Sequence, residues 1–402
     1  MKNIAFFLFL LAFVSCSKTE DKITVLDNPA QANSEFPFLF STDDALYMSW
    51  ISHHPDNNIH SLNYARYSQG SWDKVHTIAD NRTWFVNWAD FPSIIANQQG
   101  PLAAHWLNKI PGGTYAYNVN VSLVNASGKW TSPVTPHFDS TATEHGFASM
   151  IPWNEETVLA VWLDGRQSAN RSDEEYYDLD QAMTLRGALI STSGEVKRSF
   201  LIDDAVCDCC QTSLIKTSNG AIVAYRNRTD DEIRDIYVSR FNGSKWTTPE
   251  AVYDDHWKIG ACPVNGPKLA AADSTVVLTW HTGADNQPVV KASVSIDGGA
   301  TFGKPHVVSK NRSLGRVDVA VFNEKAFVSW IEKGKNGAYL KLKRLQTPDI
   351  KERTVTVSKI NGSRKTGFPQ LEVLGDQLMM AWTDIESKPT EIRTVLVDLP
   401  LE

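Results

Sequence analysis

Ten residues pair a reactive or charged side chain with one recurring local setting: His53, Lys109, Asp164, Arg166, Arg226, Arg228, His281, Arg316, Glu332 and Asp384. Each stands just after an apolar run that ends in an aromatic, or just before the run that opens the next repeat. Five of the ten are Lys or Arg, in a chain whose formal net charge is −7. Planar guanidinium groups bind carboxylate and sulfate through two parallel hydrogen bonds. Arg166, Arg226, Arg228 and Arg316, with His281, are therefore the expected anion-binding set. The plain alternative for each arginine is an ion pair between neighbouring strands. Asp90, Glu144, Asp164 and Glu332 are the expected acids and bases, with His145 beside them. Asp164 with Arg166, and Glu144 with His145, lead because each carboxylate has a cationic neighbour to tune it.

Sulfur chemistry is the second possibility. Cys207, Cys209, Cys210 and Cys262 lie in the body of the chain, and Cys16 near its start. Lys2, an apolar stretch from Ile4 to Val14 and the small Ser15 make residues 1–15 an export signal. Its apolar part is too short to span a bilayer. An exported chain meets oxidising conditions, so the four internal cysteines are disulfide candidates. They permit three connectivities. Cys209 and Cys210 could pair with each other only as a strained vicinal bridge. Thiolates with His145 or His281 could instead hold a soft ion, although the spacing matches no common zinc pattern. No metal site and no cofactor is assigned. The negative charge argues against nucleic acid as a partner.

Something must carry those side chains to one place. The aromatics Trp50, Trp106, Trp162, Tyr225, Trp280, Trp330 and Trp382 follow one another at intervals of 50 to 63 residues. A period of that length, in a chain rich in strand formers, predicts a β-propeller with one four-stranded blade per repeat. The expected fold is all-β: a single propeller over residues 31–402, of seven blades, with six as the alternative. Only one strand follows Trp382, so Ile23–Leu26 is expected to complete the last blade and close the ring. Residues 16–30 then form a tether and that closing strand. The polar groups after each aromatic, and those before each first strand, would meet at one mouth of the central channel. The longest interval contains the insertion from Gln167 to Asp180, which leaves that mouth either as a lid or as an ordinary solvated loop.

Three resemblances add to this reading. Phe13-Val14-Ser15-Cys16 resembles the lipobox of bacterial lipoproteins, with Phe where Leu is usual. That implies cleavage before Cys16, a lipid on its thiol, and residence at a bacterial membrane, expected to be the outer one, on its periplasmic or surface face. A plain secretory signal is the alternative. Ser295-Ile296-Asp297-Gly298-Gly299-Ala300-Thr301-Phe302 resembles the Asp box, or BNR repeat, of sialidases, where it is a structural turn. Tyr225-Arg226-Asn227-Arg228 and Gly315-Arg316 resemble segments that carry two of the three carboxylate-binding arginines of that family. Glu35-Phe36-Pro37-Phe38 lacks the first arginine, and Gly367-Phe368-Pro369-Gln370 lacks the nucleophilic tyrosine. Glu144-His145-Gly146-Phe147, Trp162-Leu163-Asp164-Gly165-Arg166 and the Cys207–Thr212 segment resemble exported bacterial proteins labelled exo-alpha-sialidase. The resemblance implies a sialidase-like glycosidase, acting as a monomer on an acidic glycan. It needs an acid and a base flanking the bond, drawn from Asp164, Glu144, His145, Asp90 and Glu332. A lyase would use His145 or His281 as its base. The alternatives are a non-catalytic glycan-binding propeller and a cysteine-based metal-binding protein.

Overall fold

The computed structural model describes residues 22–172, 178–310, 312–322, 325–345 and 352–398. They form seven antiparallel sheets, joined by turns and a few single turns of 3-10 helix. Blade one comprises Ser34–Ser41, Leu46–His54, Ile59–Ser68 and an outer His76–Asn81. Blade two has Ser93–Asn97, Gly100–Lys109 and Tyr117–Leu123, with the bridges Val121–Val134 and Val124–Trp130 in place of a full fourth strand. Blade three is His145–Asn154, Thr157–Asp164, Met183–Ser191 and Val196–Val206. Blade four is Ser213–Thr217, Gly220–Arg226, Ile236–Phe241 and Glu250–Ala251. Blade five is Lys268–Ala272, Thr275–Thr282, Val289–Ser295 and His306–Ser309. Blade six is Ser313–Phe322, Lys325–Gly334, Gly337–Arg344 and Arg353–Ile360.

Blade seven joins the two ends of the described chain. Gln370–Leu374, Gln377–Asp384 and Glu391–Asp398 are completed by Lys22–Leu26, in register from Lys22 opposite Asp398 to Leu26 opposite Thr394. The ring therefore has seven blades, and the six-bladed alternative falls.

The aromatic period has a direct packing cause. Among the described residues there are seven apolar clusters, one at each blade–blade interface. Each repeating aromatic is buried against the preceding blade: Trp50 against blade seven, Trp106 against one, Trp162 against two, and so on round to Trp382 against six. A buried indole removes a large apolar area from water, worth roughly 2–3 kcal/mol. One such wedge per blade is a repeated closing force on the ring.

The innermost strands line a central cavity of about 640 Å³. Its wall begins at Phe38, Ser93, Ala148, Thr212, Lys268, Asp318 and Gln370, one position from each blade. Above that level lie the aromatics that open the inner strands. Trp88 stacks on Phe368 at 5.8 Å, Phe91 is 6.1 Å from the same ring, and Phe36 packs against Gly367. The Ser295–Phe302 turn lies at the opposite end, because its Gly298 amide donates to Ser274 in the first turn of blade five. There Asp297 accepts from Ser295, from the Thr301 amide and from the Thr301 hydroxyl, and Gly298 and Gly299 take positive φ.

Candidate active site at the channel mouth

Residues at the mouth ends of the strands first of all stitch neighbouring blades. The Phe147 amide donates to Asp90 at 2.8 Å, Gly266 to Gln211 at 3.0 Å, Arg316 to Asn265 at 2.7 Å and Phe36 to Thr383 at 2.9 Å. Phe36, Phe147 and Arg316 all have φ between 52° and 56°, left-handed values costly for non-glycine residues. The ladder skips a residue at each of these points, which frees an amide that a side chain of the preceding blade accepts.

The polar residue two places after the aromatic has its own repeated task. The indole N–H of Trp50 donates to Ser52, that of Trp162 to Asp164, and that of Trp330 to Glu332. Side chains i and i+2 share a face of a strand, so the buried indole finds its acceptor there. Glu332 is held in this way, with Ser309 at 3.5 Å on the same oxygen.

Between blades two and three the mouth holds a proton-sharing group. The Tyr117 hydroxyl lies 3.1 Å from Asp90 and also donates to Glu144. Asp90 and Tyr117 are buried, while Glu144 stays partly exposed. Burial pushes Asp90 up to about 7, against the opposing bonds from Phe147 and Tyr117. Burial likewise pushes Glu144 up to about 8, with the charges of Asp90 and Asp208 adding to it. Tyr117 is raised well above a normal phenol by burial and by both carboxylates.

Next to this group is a second cluster with the opposite tendency. Asp139 accepts from His137 at 2.9 Å and lies 3.2 Å from His145 and 3.1 Å from Arg166. Arg166 also forks onto Asp164, with both bonds at 2.7 Å. The rings of His137 and His145 stack at 3.9 Å. Burial alone would raise Asp139 and Asp164. Hydroxyl, imidazole and guanidinium partners outweigh it and hold both below the usual carboxylate range. Burial, helped by His145, drops His137 to about 4. Arg186 faces the same carboxylates, 3.9 Å from Asp164, and burial and Arg166 lower its pKa. Asp164 is fully buried, whereas Arg166 and Arg186 keep 27% and 22% of their side chains exposed.

Three of the expected anion-binding arginines are occupied internally. Arg226 donates to the backbone carbonyls of Arg234, Asn265 and His281, at 2.5, 2.8 and 2.8 Å, and lies over Trp257. Arg228 forks onto Glu232 and lies 3.5 Å from Asp208. Arg316 donates to the carbonyls of Ser363 and Gly362, and burial with Arg364 nearby lowers it to about 10. His281 is buried edge-on to Trp257 and pushed down to about 3 by burial and Arg226. The mouth's more accessible cations are others. Arg364 is exposed and lies 5.7 Å from the face of Trp88, with Arg316 at 5.4 Å from the same ring.

Tyr117, His137, Asp139, Arg186 and Arg364 were not singled out from sequence. His137 and Asp139 lie in a connection without period, and Arg186 lies mid-strand opposite Trp162. The one signal available was the density of His and Asp between residues 137 and 145.

Among the described residues no disulfide joins the four internal cysteines, and Cys207, Cys209 and Cys210 lie within 4.8 Å of one another. Part of the expected lid, residues 173–177, and the whole of residues 1–21 with Cys16 lie outside the described residues.

No known protein family matches the chain, and no curated protein matches it in sequence. Solved structures match by shape. Pyrococcus horikoshii acylaminoacyl peptidase aligns with a TM-score of 0.50 and 12% identity, over 90% of this chain and 50% of the other. The chain thus spans half the length of that peptidase. An ulvan lyase, a polysaccharide lyase solved with -[GlcA(1-4)Rha3S]- bound, aligns at 0.42 and 11%, over 81% of this chain and 79% of its own. Trypanosoma rangeli sialidase aligns at 0.39 and 11%, over 91% and 55%. At such identities the likeness concerns the propeller fold alone.

Proposed function

We propose that the protein is a glycan-active propeller that cleaves an acidic glycan by acid–base catalysis at the mouth between blades two and three. The observation that carries this is the Tyr117 hydroxyl held between Asp90 and Glu144, beside carboxylates clamped by Arg166. Two neighbouring carboxyl groups driven in opposite directions are the usual division between proton donor and acceptor. Glu144 keeps its proton to about pH 8 and is the general acid. Asp139, partly exposed and held ionised, is the base. Arg166 and Arg186, each partly exposed, present guanidinium groups to the carboxylate or sulfate of the glycan, and Arg364 lies exposed over Trp88 at the rim. Asp90 and Asp164 are positioning residues: the first fixes Tyr117 and Phe147, the second fixes Arg166 and Trp162.

Binding without catalysis is the second reading. It is favoured by the internal occupation of Arg226, Arg228 and Arg316, which leaves the mouth without a three-arginine clamp. Incubation with sialosides, sulfated glycans and uronic-acid glycans separates the two. New reducing ends, absent in Glu144→Gln, are expected. Unsaturated products would make the reaction an elimination, and retention of glycan without any product would leave binding alone. In this reading the protein is an exported monomer, tethered to a bacterial membrane through a lipid on Cys16.

A further inference from the structure

The strand Val196–Val206 leaves blade three and enters blade four through a tight turn at Cys207-Asp208-Cys209-Cys210. The turn is pinned by the Cys207 amide, which donates to the Arg226 carbonyl at 3.0 Å. It folds the three thiols inward. The sulfurs of Cys207 and Cys210 are 3.4 Å apart, and all three sulfurs lie within 4.8 Å of one another. A metal held by three thiolates at about 2.3 Å from each needs sulfurs about 4 Å apart, so the cluster fits an ion with little movement. Oxidation would use all four sulfurs, Cys207 with Cys210 and Cys209 with Cys262, so the ion is taken up by the reduced chain.

The surroundings are cationic. Arg234, its side chain fully buried, directs Nη1 at the Cys207 sulfur from 3.4 Å. Arg226 and Arg228 are buried alongside, with Glu232 pairing to Arg228 and Arg234. Three thiolates around a monovalent cation leave a net negative charge, and buried guanidinium groups offset such a charge. Cys207 and Cys210 are buried and Cys209 is partly exposed. The exposed Cys262 hydrogen-bonds Cys209 from the blade-five side.

We propose that Cys207, Cys209 and Cys210 form a three-thiolate site for a soft monovalent cation of the Cu(I) type, with Cys262 as the sulfur that first receives the ion. Loading exchanges thiol protons for the metal and releases them to solvent. The soft thiolate set selects Cu(I) over hard cations, and a tetrahedral zinc ion would need Cys262 as its fourth ligand, a sulfur outside the group whose members lie within 4.8 Å of one another. This site borders the carboxyl groups at the mouth, since Asp208 and Cys262 both act on Glu144, but it does not depend on glycan activity.

The test uses the reduced full chain, kept free of oxygen and titrated with Cu(I) held by bicinchoninate. One copper withdrawn per chain is expected. Cys209→Ser should weaken retention at least about tenfold with an unchanged circular dichroism spectrum, because Cys209 is partly exposed and its loss leaves the turn bonds in place. Cys262→Ser should keep the stoichiometry and load more slowly. Failure to withdraw copper, full retention by Cys209→Ser, or preferential retention of Zn²⁺ would overturn the proposal. So would a bridge between any two of the three sulfurs that persists under reducing conditions.

Discussion

Glu144 shows how one residue's surroundings set both chemistry and stability. Its folded pKa near 8, and that of Asp90 near 7, stand well above the roughly 4 of an unfolded carboxyl. Between about pH 4 and pH 8 these two folded carboxyls therefore hold protons that their unfolded counterparts have lost, so their contribution to stability falls as pH rises through that window. His137 and His281, held down by burial, act the other way below about pH 6.5. Asp139 and Asp164 likewise act in the opposite sense. Their contribution is already complete above about pH 4. Glu144→Gln should shrink the drop in thermal midpoint between pH 5 and pH 8.5; an undiminished drop would remove Glu144 as its source. If Glu144 is the acid, turnover by the unmodified chain should also decline as pH rises through about 8. Arg226 makes a different point. Arg226→Ala should lower stability by roughly 3 kcal/mol or more, because three buried carbonyls lose their donor. Arg226→Lys should recover little, since a point charge cannot reproduce the planar fork. A urea unfolding midpoint that stays put in Arg226→Ala would contradict the buried bonding. The position of Arg226 at the end of a blade's second strand was readable from sequence. Its occupation was not, because its partners are backbone carbonyls delivered by other segments.

Among the elements, the closing strand is the clearest. Lys22–Leu26 adds five residues to the outer edge of blade seven, and Thr394 bonds the Leu26 carbonyl at 2.6 Å. Its assignment from sequence rested on the shortage of strands after Trp382, a counting argument that needs no packing detail. A chain lacking residues 22–26 should expose Glu391–Asp398 as a free edge, which invites pairing between molecules. The expected result is a lower thermal midpoint and concentration-dependent association in size-exclusion chromatography; a monomer with an unchanged midpoint would contradict it. Turns with built-in chemistry were equally legible, as at Asp297, where the acceptor, the glycines and the hydroxyl partner are all within five residues. Connections such as residues 135–143 were not. They have no period, and His137 and Asp139 acquire their meaning only when blade three brings His145 and Arg166 beside them.

For the whole molecule, the repeated aromatic says more than any single site. Each Trp or Tyr wedges against the blade before it, so the seven interfaces depend on one another round the ring. The break between the ends is only one strand pairing among many: Lys22 lies opposite Asp398 in adjacent strands. It follows that the position of the break should matter little as long as every blade keeps its strands. A permuted chain can be made by linking Asp398 to Lys22 with a short flexible segment and opening the exposed turn Asn125–Lys129, between blade two's third strand and its outer bridges. Calorimetry should show one transition, at a midpoint within a few degrees of the parent, because no interface cluster has lost a residue and loop closure adds little. Two separate transitions would mean that the blades unfold in independent groups, and that the ring is held by local pairs rather than by its closure.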